Sequence, residues 1–156
     1  MQIKKATKDE SILLHDFYFE SSEPDAPKKA FAELDAQEKE MALAHFSPDF
    51  YLAVHNENGV VGFLGLFPDD FDNINIFYVI SPDHRGKGYL VRFLELARLY
   101  CRDHFPEYKY LRALTRKSNV PSIRALENAA FVRRGECVEE VMPEVTYEEY
   151  LLLISQ

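Results

Sequence analysis

Between Asn73 and Ile80 the chain reads NINIFYVI. Ile74, Ile76, Tyr78 and Ile80 fall on one face of an extended strand, and Asn73, Asn75, Phe77 and Val79 on the other. Pro82 removes a backbone donor and ends the strand. From Tyr89 the period changes. Leu90, Phe93, Leu94, Ala97 and Cys101 recur at helical spacing, with Arg92, Glu95, Arg98 and Arg102 opposite them. A buried strand, a short basic glycine loop and an amphipathic helix are therefore expected between Asn73 and Cys101.

The same patterns extend along the chain. Met1–Ala6 is expected as a strand, and Thr7 as the start of a helix carrying Ile12, Leu13, Phe17 and Phe19. Glu20–Pro27 is rich in turn formers. A second helix is expected over Lys28–Phe46, with Phe31, Leu34, Met41, Ala42 and His45 near one face, ended by Ser47-Pro48-Asp49. Phe50–His55 and Val60–Phe67 form a strand pair about a turn ending in Gly59, and Gly62 and Gly65 mark a bulge or a close contact. Further strands are expected at Tyr108–Thr115, Phe131–Met142 and Thr146–Ser155, with a short helix at Val120–Ala130. This order makes a mixed α/β sheet. A helix between the Asn73 and Tyr108 strands implies a parallel, right-handed crossover.

The loop carries the first chemical signal. A helix leaves its first N–H groups unpaired and places partial positive charge there. Gly86 and Gly88 let the backbone approach a ligand closely, and Arg85 and Lys87 add full charge. Such a turn is an anion cradle for a phosphate or pyrophosphate, or simply an exposed strand–helix turn. Its spacing matches neither the P-loop nor the dinucleotide glycine fingerprint.

Composition narrows the class. With 156 residues, 47% hydrophobic and 13% aromatic, the chain is expected as one globular domain over 1–156. No apolar run is long enough for a bilayer, and the amino terminus lacks the apolar stretch of a secretion signal. Two cysteines, Cys101 and Cys137, fit neither a metal site nor a disulfide framework, so a cytoplasmic, reducing location is expected. A net charge of −8 argues against general nucleic-acid binding. The charge either steers a cationic acceptor or only keeps the protein soluble.

Together the elements and the loop resemble the GCN5-related N-acetyltransferase (GNAT) superfamily. Its signature is Gln or Arg, two residues, Gly, one residue, then Gly or Ala. Here Arg85-Gly86-Lys87-Gly88-Tyr89-Leu90 matches except at Leu90. The stretch NVPSIRALENAAF, Asn119–Phe131, is similar to a second family motif, in which Asn starts a helix that ends in Gly-Phe. The resemblance covers essentially the whole chain. It implies a mainly antiparallel sheet flanked by helices, with a parallel strand–helix–strand unit at the coenzyme A site.

The resemblance also implies a function. An acetyl group would move from acetyl-CoA, the cosubstrate, directly to an amine of a small molecule or peptide, with no metal, nucleic acid or membrane involved and a homodimer left open. Coenzyme A contacts are implied at Tyr78, Val79, Ile80, Arg85, Gly86, Lys87, Gly88, Tyr89, Leu90, Asn119 and Ser122. The Tyr that many members use as general acid falls at Leu126, and the strand that often carries a Glu base offers Asn73 and Asn75. Tyr78 and Asp72 are the remaining catalytic candidates, beside Asp69, Asp70, His45 and His55, each of which has an ordinary structural reading as well. An alternative is a GNAT-fold module that binds coenzyme A or an acyl-CoA without turnover; a third is an interaction domain whose cradle stays empty.

Overall fold

The computed structural model describes residues 1–21 and 23–155. Its seven strands hydrogen-bond in the order β1-β2-β3-β4-β5-β7-β6, a mixed and mostly antiparallel sheet with one parallel step, β4 to β5. The chain forms two compact units, Met1–Gly65 with Tyr78–Lys87, and Leu66–Phe77 with Gly88–Gln156.

The first unit begins with β1 (Gln2–Lys5), which pairs antiparallel with β2 (Tyr51–Asn56). Between them, α1 (Lys8–Phe19) starts at Thr7 through a reciprocal capping box. The Glu10 N–H donates to Thr7 Oγ1 at 3.2 Å, and the Thr7 N–H donates to Glu10 Oε1 at 2.9 Å. Leu14, Phe17 and Tyr18 of α1 are buried.

The long second helix expected over Lys28–Phe46 is not formed. A single 3-10 turn spans Phe31–Glu33, Leu34 is extended at ψ 147, and α2 occupies Ala36–His45 only. The reason is local. Asp35 caps α2, its side chain accepting from the Glu38 N–H at 2.8 Å while Glu38 Oε1 accepts from the Asp35 N–H at 3.1 Å. A residue in cap conformation cannot lie mid-helix. None of α2 is fully buried and Met41 is 66% exposed, so the supposed apolar face is not a core face.

β2 runs through a tight turn into β3 (Gly59–Pro68). Val54 pairs with Gly62 but His55 with Val60, which leaves Val61 as the extra residue of a bulge beside Gly62. Ala53, Val54, Val61, Phe63 and Leu64 are fully buried, so these strands are covered on both faces.

In the second unit, β4 (Asn73–Ile80, of which Asn73–Phe77 lie here) pairs parallel with β5 (Tyr110–Arg116) over Asn73–Asn75 against Tyr110–Arg112. The helix α3 (Tyr89–His104) is the crossover, buried along Phe93, Leu94, Ala97 and Cys101 as its period predicts. The helix α4 (Val120–Asn128) packs against it, with Ser122, Ala125 and Leu126 buried. Two final strands follow, β6 (Val132–Glu139) and β7 (Met142–Leu153). They join in a two-residue turn, Glu140-Val141, between paired Glu139 and Met142. The last strand therefore starts four residues earlier than Thr146, because this turn, and not a longer loop, reverses the chain.

Candidate active site

Near the end of β4, Val79 is buried while Tyr78 and Ile80 are half-buried. The Ser81 N–H donates to Val61 O at 2.8 Å and ties the strand's end to β3. A 3-10 turn at Pro82–His84 then leads to Arg85. Each nitrogen of its guanidinium donates to main chain. Nε donates to Ile80 O, Nη1 to Glu20 O and Nη2 to Phe17 O, each at 3.2 Å. Two of those carbonyls end α1, whose last turn has no basic residue. Arg85 thus supplies the cation that the negative end of α1 favours.

Gly86 and Gly88 both adopt left-handed backbone, at φ 72 and φ 77, and Lys87 between them is exposed. A Cβ built on either glycine would meet nothing within 4 Å. The glycines are therefore required by conformation, and the space above them is open. Gly88 is also the cap residue of α3, so no side chain competes for the first N–H groups of that 16-residue helix. Tyr89 and Leu90, in its first turn, are half-buried.

Asn119 caps α4, its side-chain oxygen accepting from the Ser122 N–H at 3.3 Å. Ser122 is buried. Leu126, at the position where the family's acid would stand, is 0% exposed and belongs to the core. Ala130 is left-handed at φ 69, its N–H bonded to Glu127 O at 3.0 Å and that of Phe131 to Leu126 O at 2.9 Å. This is a Schellman cap with alanine where glycine is the easy choice.

The catalytic candidates fall at opposite ends of β4. Asp72 precedes the strand, exposed and left-handed at φ 64, and its carbonyl accepts from the N–H groups of Lys109 and Tyr110 at 3.0 and 3.1 Å. Tyr78 lies six residues further along the chain. Asp69 is absorbed in the turn before β4. It accepts from the N–H groups of Phe71 and Asn73 at 2.8 and 3.1 Å, and from the Asn73 and Asn75 amides at 3.3 and 2.9 Å. His55 pairs with Glu10 at 2.8 Å and holds the first helix to the sheet. Burial pushes the Cys101 thiol up to about 12, as befits an inert packed side chain.

One constellation was not anticipated. Arg112 on β5 reaches side chains on β7, β4 and β6, with Nε to Glu149 Oε2 at 2.5 Å, Nη1 to Asn75 Oδ1 at 3.0 Å and Nη2 to Cys137 Sγ at 3.4 Å. Glu139 Oε1 stands 3.7 Å from Nη1. Asn75, Ile76, Arg112, Leu114 and Glu139 line a cavity of about 350 Å³ where the registered β4–β5 pairing ends. A signal existed. Arg112 sits in a strand between Leu111 and Ala113, both fully buried, and a lone charge in such a strand demands a partner.

Residues 8–132 match the acetyltransferase (GNAT) domain family, and the chain belongs to it. Its family uses acetyl-CoA. Solved structures of similar fold include a chimera of the Vibrio cholerae spermidine N-acetyltransferase SpeG and hSSAT, with TM-score 0.76, 16% identity, and coverage of 99% of this chain and 97% of that one. The spermidine/spermine N-acetyltransferase SpeG from Vibrio cholerae in complex with manganese ions gives 0.73 at 17% identity, covering 99% and 92%. A GNAT-family acetyltransferase from Bacillus anthracis gives 0.70 at 18%, covering 99% and 95%. No curated protein matches by sequence. At these identities the solved structures establish the fold alone. Among the described residues no helix is long and apolar enough to cross a membrane.

Proposed function

We propose that residues 1–156 form one acetyltransferase domain that moves an acetyl group from acetyl-CoA directly to an amine of a small molecule or peptide. Membership of the GNAT family carries this reading. The solved spermidine acetyltransferases of the same fold make a cationic amine the natural class of acceptor to test first.

The glycine turn fits the cosubstrate. Backbone N–H groups from Gly86 to Leu90 suit its pyrophosphate, with Lys87 as an exposed cation, since Arg85 is held by main-chain carbonyls. Asn119 and Ser122 belong to the same proposed site, Asn119 by shaping the start of α4. Tyr78, Val79 and Ile80 would offer main chain to the acetyl and pantetheine groups. An N–H aimed at the thioester oxygen stabilises charge there, and much of the rate is then a matter of positioning.

A proton must still reach the departing thiolate. Leu126 cannot supply it, and Asp72 lies at the far end of β4, so Tyr78 is our candidate. The burial of Leu126 also favours a second reading, a module that binds coenzyme A without turnover. Calorimetry with acetyl-CoA tests the binding half; no heat at millimolar ligand would sink both readings. Thiol release across an amine panel tests turnover, and binding without release would select the module. We place the protein in the cytosol on its cysteine usage.

A further inference from the structure

Arg85 opens the loop proposed to hold the pyrophosphate, yet its side chain is spent on α1. Nη2 and Nη1 donate to Phe17 O and Glu20 O, in the last turn and cap of that helix, and Nε to Ile80 O, where β4 ends. Arg85, Gly86 and Lys87 belong to the same compact unit as α1. One side chain thus fastens the start of the glycine loop to the end of the first helix.

That end of α1 carries a second set of contacts. His15 Nε2 donates to Lys29 O at 3.0 Å, Asp16 Oδ1 accepts from the Phe31 N–H at 2.8 Å, and the Tyr18 hydroxyl donates to Asp25. All three partners lie in residues 23–34, between α1 and α2. Apart from the single turn at Phe31–Glu33 this segment forms no helix or strand, and Ala26 alone of it is fully buried. The polar contacts that fix it run largely to α1, since the Lys29–Glu38 pair at 3.8 Å is exposed.

The Arg85 bonds suit a brace that can open. Those to Ile80 O and Glu20 O are exposed to solvent, and the space above Gly86 is open. Exposed hydrogen bonds holding a segment with one buried residue mark the low end of local stability. The braced loop presents the Gly86 and Lys87 N–H groups ready placed for an anion. A ligand that binds this state better shifts the equilibrium toward it.

Resting on the proposed cosubstrate site, we infer that Arg85 is a positioning residue that couples the glycine loop to residues 23–34 through the end of α1. Occupation of the loop orders the segment. Order in the segment tightens the loop in return, because coupling between two sites is reciprocal.

The full chain, with acetyl-CoA as the probe, tests this at two levels. Without ligand, hydrogen exchange is followed at the Glu20, Ser21 and Phe31 amides, which donate to Asp16 O, Tyr18 O and Asp16 Oδ1. Arg85→Ala lowers their protection about tenfold, Arg85→Lys less, and Lys87→Ala not at all. With ligand, acetyl-CoA raises Phe31 protection in wild type and leaves it unmoved in Arg85→Ala. Calorimetry then closes a cycle. Asp16→Ala, which releases Phe31, weakens acetyl-CoA binding about fivefold when Arg85 is present and has no effect beside Arg85→Ala. Beside Lys87→Ala it keeps its full effect. Arg85→Lys takes the place of Arg85→Ala in the cycle where the alanine variant binds too weakly to measure, and there the Asp16→Ala effect shrinks.

Equal protection in wild type and Arg85→Ala would overturn the brace. An Asp16→Ala effect that is absent in wild type, or that persists in full without Arg85, would overturn the coupling. The inference and the reading beneath it fail differently. If acetyl-CoA binds and Phe31 does not respond, the coupling falls alone. If protection depends on Arg85 and acetyl-CoA gives no heat, the cosubstrate reading falls with the coupling to it, and the brace stands.

Discussion

Ala130 holds a left-handed backbone at φ 69 to complete the cap of α4. An L-residue with a Cβ loses roughly 1–2 kcal/mol there, partly offset in glycine by its greater freedom when unfolded. Ala130→Gly should therefore stabilise the protein by about 0.5–1 kcal/mol, read as a higher urea midpoint with an unchanged slope; a lower midpoint would mean that the Ala130 methyl packs usefully. Gly88 poses the converse case. A Cβ there meets nothing within 4 Å, but φ 77 disfavours it. Gly88→Asp should cost roughly 1 kcal/mol in stability and more than about tenfold in acetyl-CoA affinity, because it sets a negative charge where a pyrophosphate is proposed. Calorimetry on the folded variant checks this, and unchanged affinity would show that the cradle is elsewhere. At this scale the left-handed glycine turn and the Asn119 cap were legible, since glycines before a helix and Asn before another have local meaning. The Arg112 constellation was not legible, because nothing local announces which carboxylates on β6 and β7 a strand arginine will meet.

An element is set by its ends as much as by its face. α1 has an N-terminal capping box of its own but no basic residue in its last turn, and Arg85 supplies the charge from 65 residues away in the chain. Arg85→Ala should remove three charge-assisted bonds to carbonyls and lower stability by about 1–3 kcal/mol, with Arg85→Lys only partly restoring it, because an ammonium cannot fork to three acceptors as a guanidinium does. Chemical denaturation of the two variants tests this, and a silent Arg85→Ala would return the side chain to the phosphate role that the motif suggests. The same attention to ends explains what was and was not readable. α3 has a sustained apolar period over Phe93, Leu94, Ala97 and Cys101, all fully buried, so periodicity alone placed it. The stretch from Lys28 to Phe46 has apolar residues at helical intervals by composition, but Asp35 and Glu38 form a capping box in its middle. Asp followed three residues later by Glu was the available signal, and it outranks a loose apolar count. The early start of β7 follows from a two-residue hairpin turn without glycine, Glu140-Val141, which sequence preferences do not mark.

For the whole molecule, the carboxylates held below the ordinary range contribute to the acid response: Glu10 in the first compact unit, Asp69 and the exposed Glu136 in the second. Burial pushes Glu10 up, but the Thr7 N–H and His55 outweigh it and hold it below the ordinary carboxylate range. Asp69 is pushed up in the same way and drawn lower by Asn75 and by the Phe71 and Asn73 N–H groups. In Glu10 and in Asp69 the folded state binds a proton less readily than the unfolded one. The unfolded chain therefore holds more protons in the acid window, and stability rises with pH across it. The stabilisation is complete above the unfolded values, near pH 4 to 4.5, and is lost as pH falls through the depressed folded values. Acid first brings the net charge of −8 to zero near the isoelectric point of about 5.1, which relieves self-repulsion, and below that it builds up positive charge, which restores it. Single variants separate the two effects, because Glu10→Gln and Asp69→Asn change the total charge equally but remove different local networks. Urea midpoints between pH 6 and pH 3 should fall for wild type and fall less steeply for each variant, from a lower starting value. If repulsion dominated, the wild-type midpoint would instead rise from pH 6 to about pH 5, near the isoelectric point, before falling. If the two variants flatten different probes of unfolding, Tyr fluorescence against backbone circular dichroism, the units lose their acid stability separately; if they flatten both together, the chain unfolds as one cooperative body.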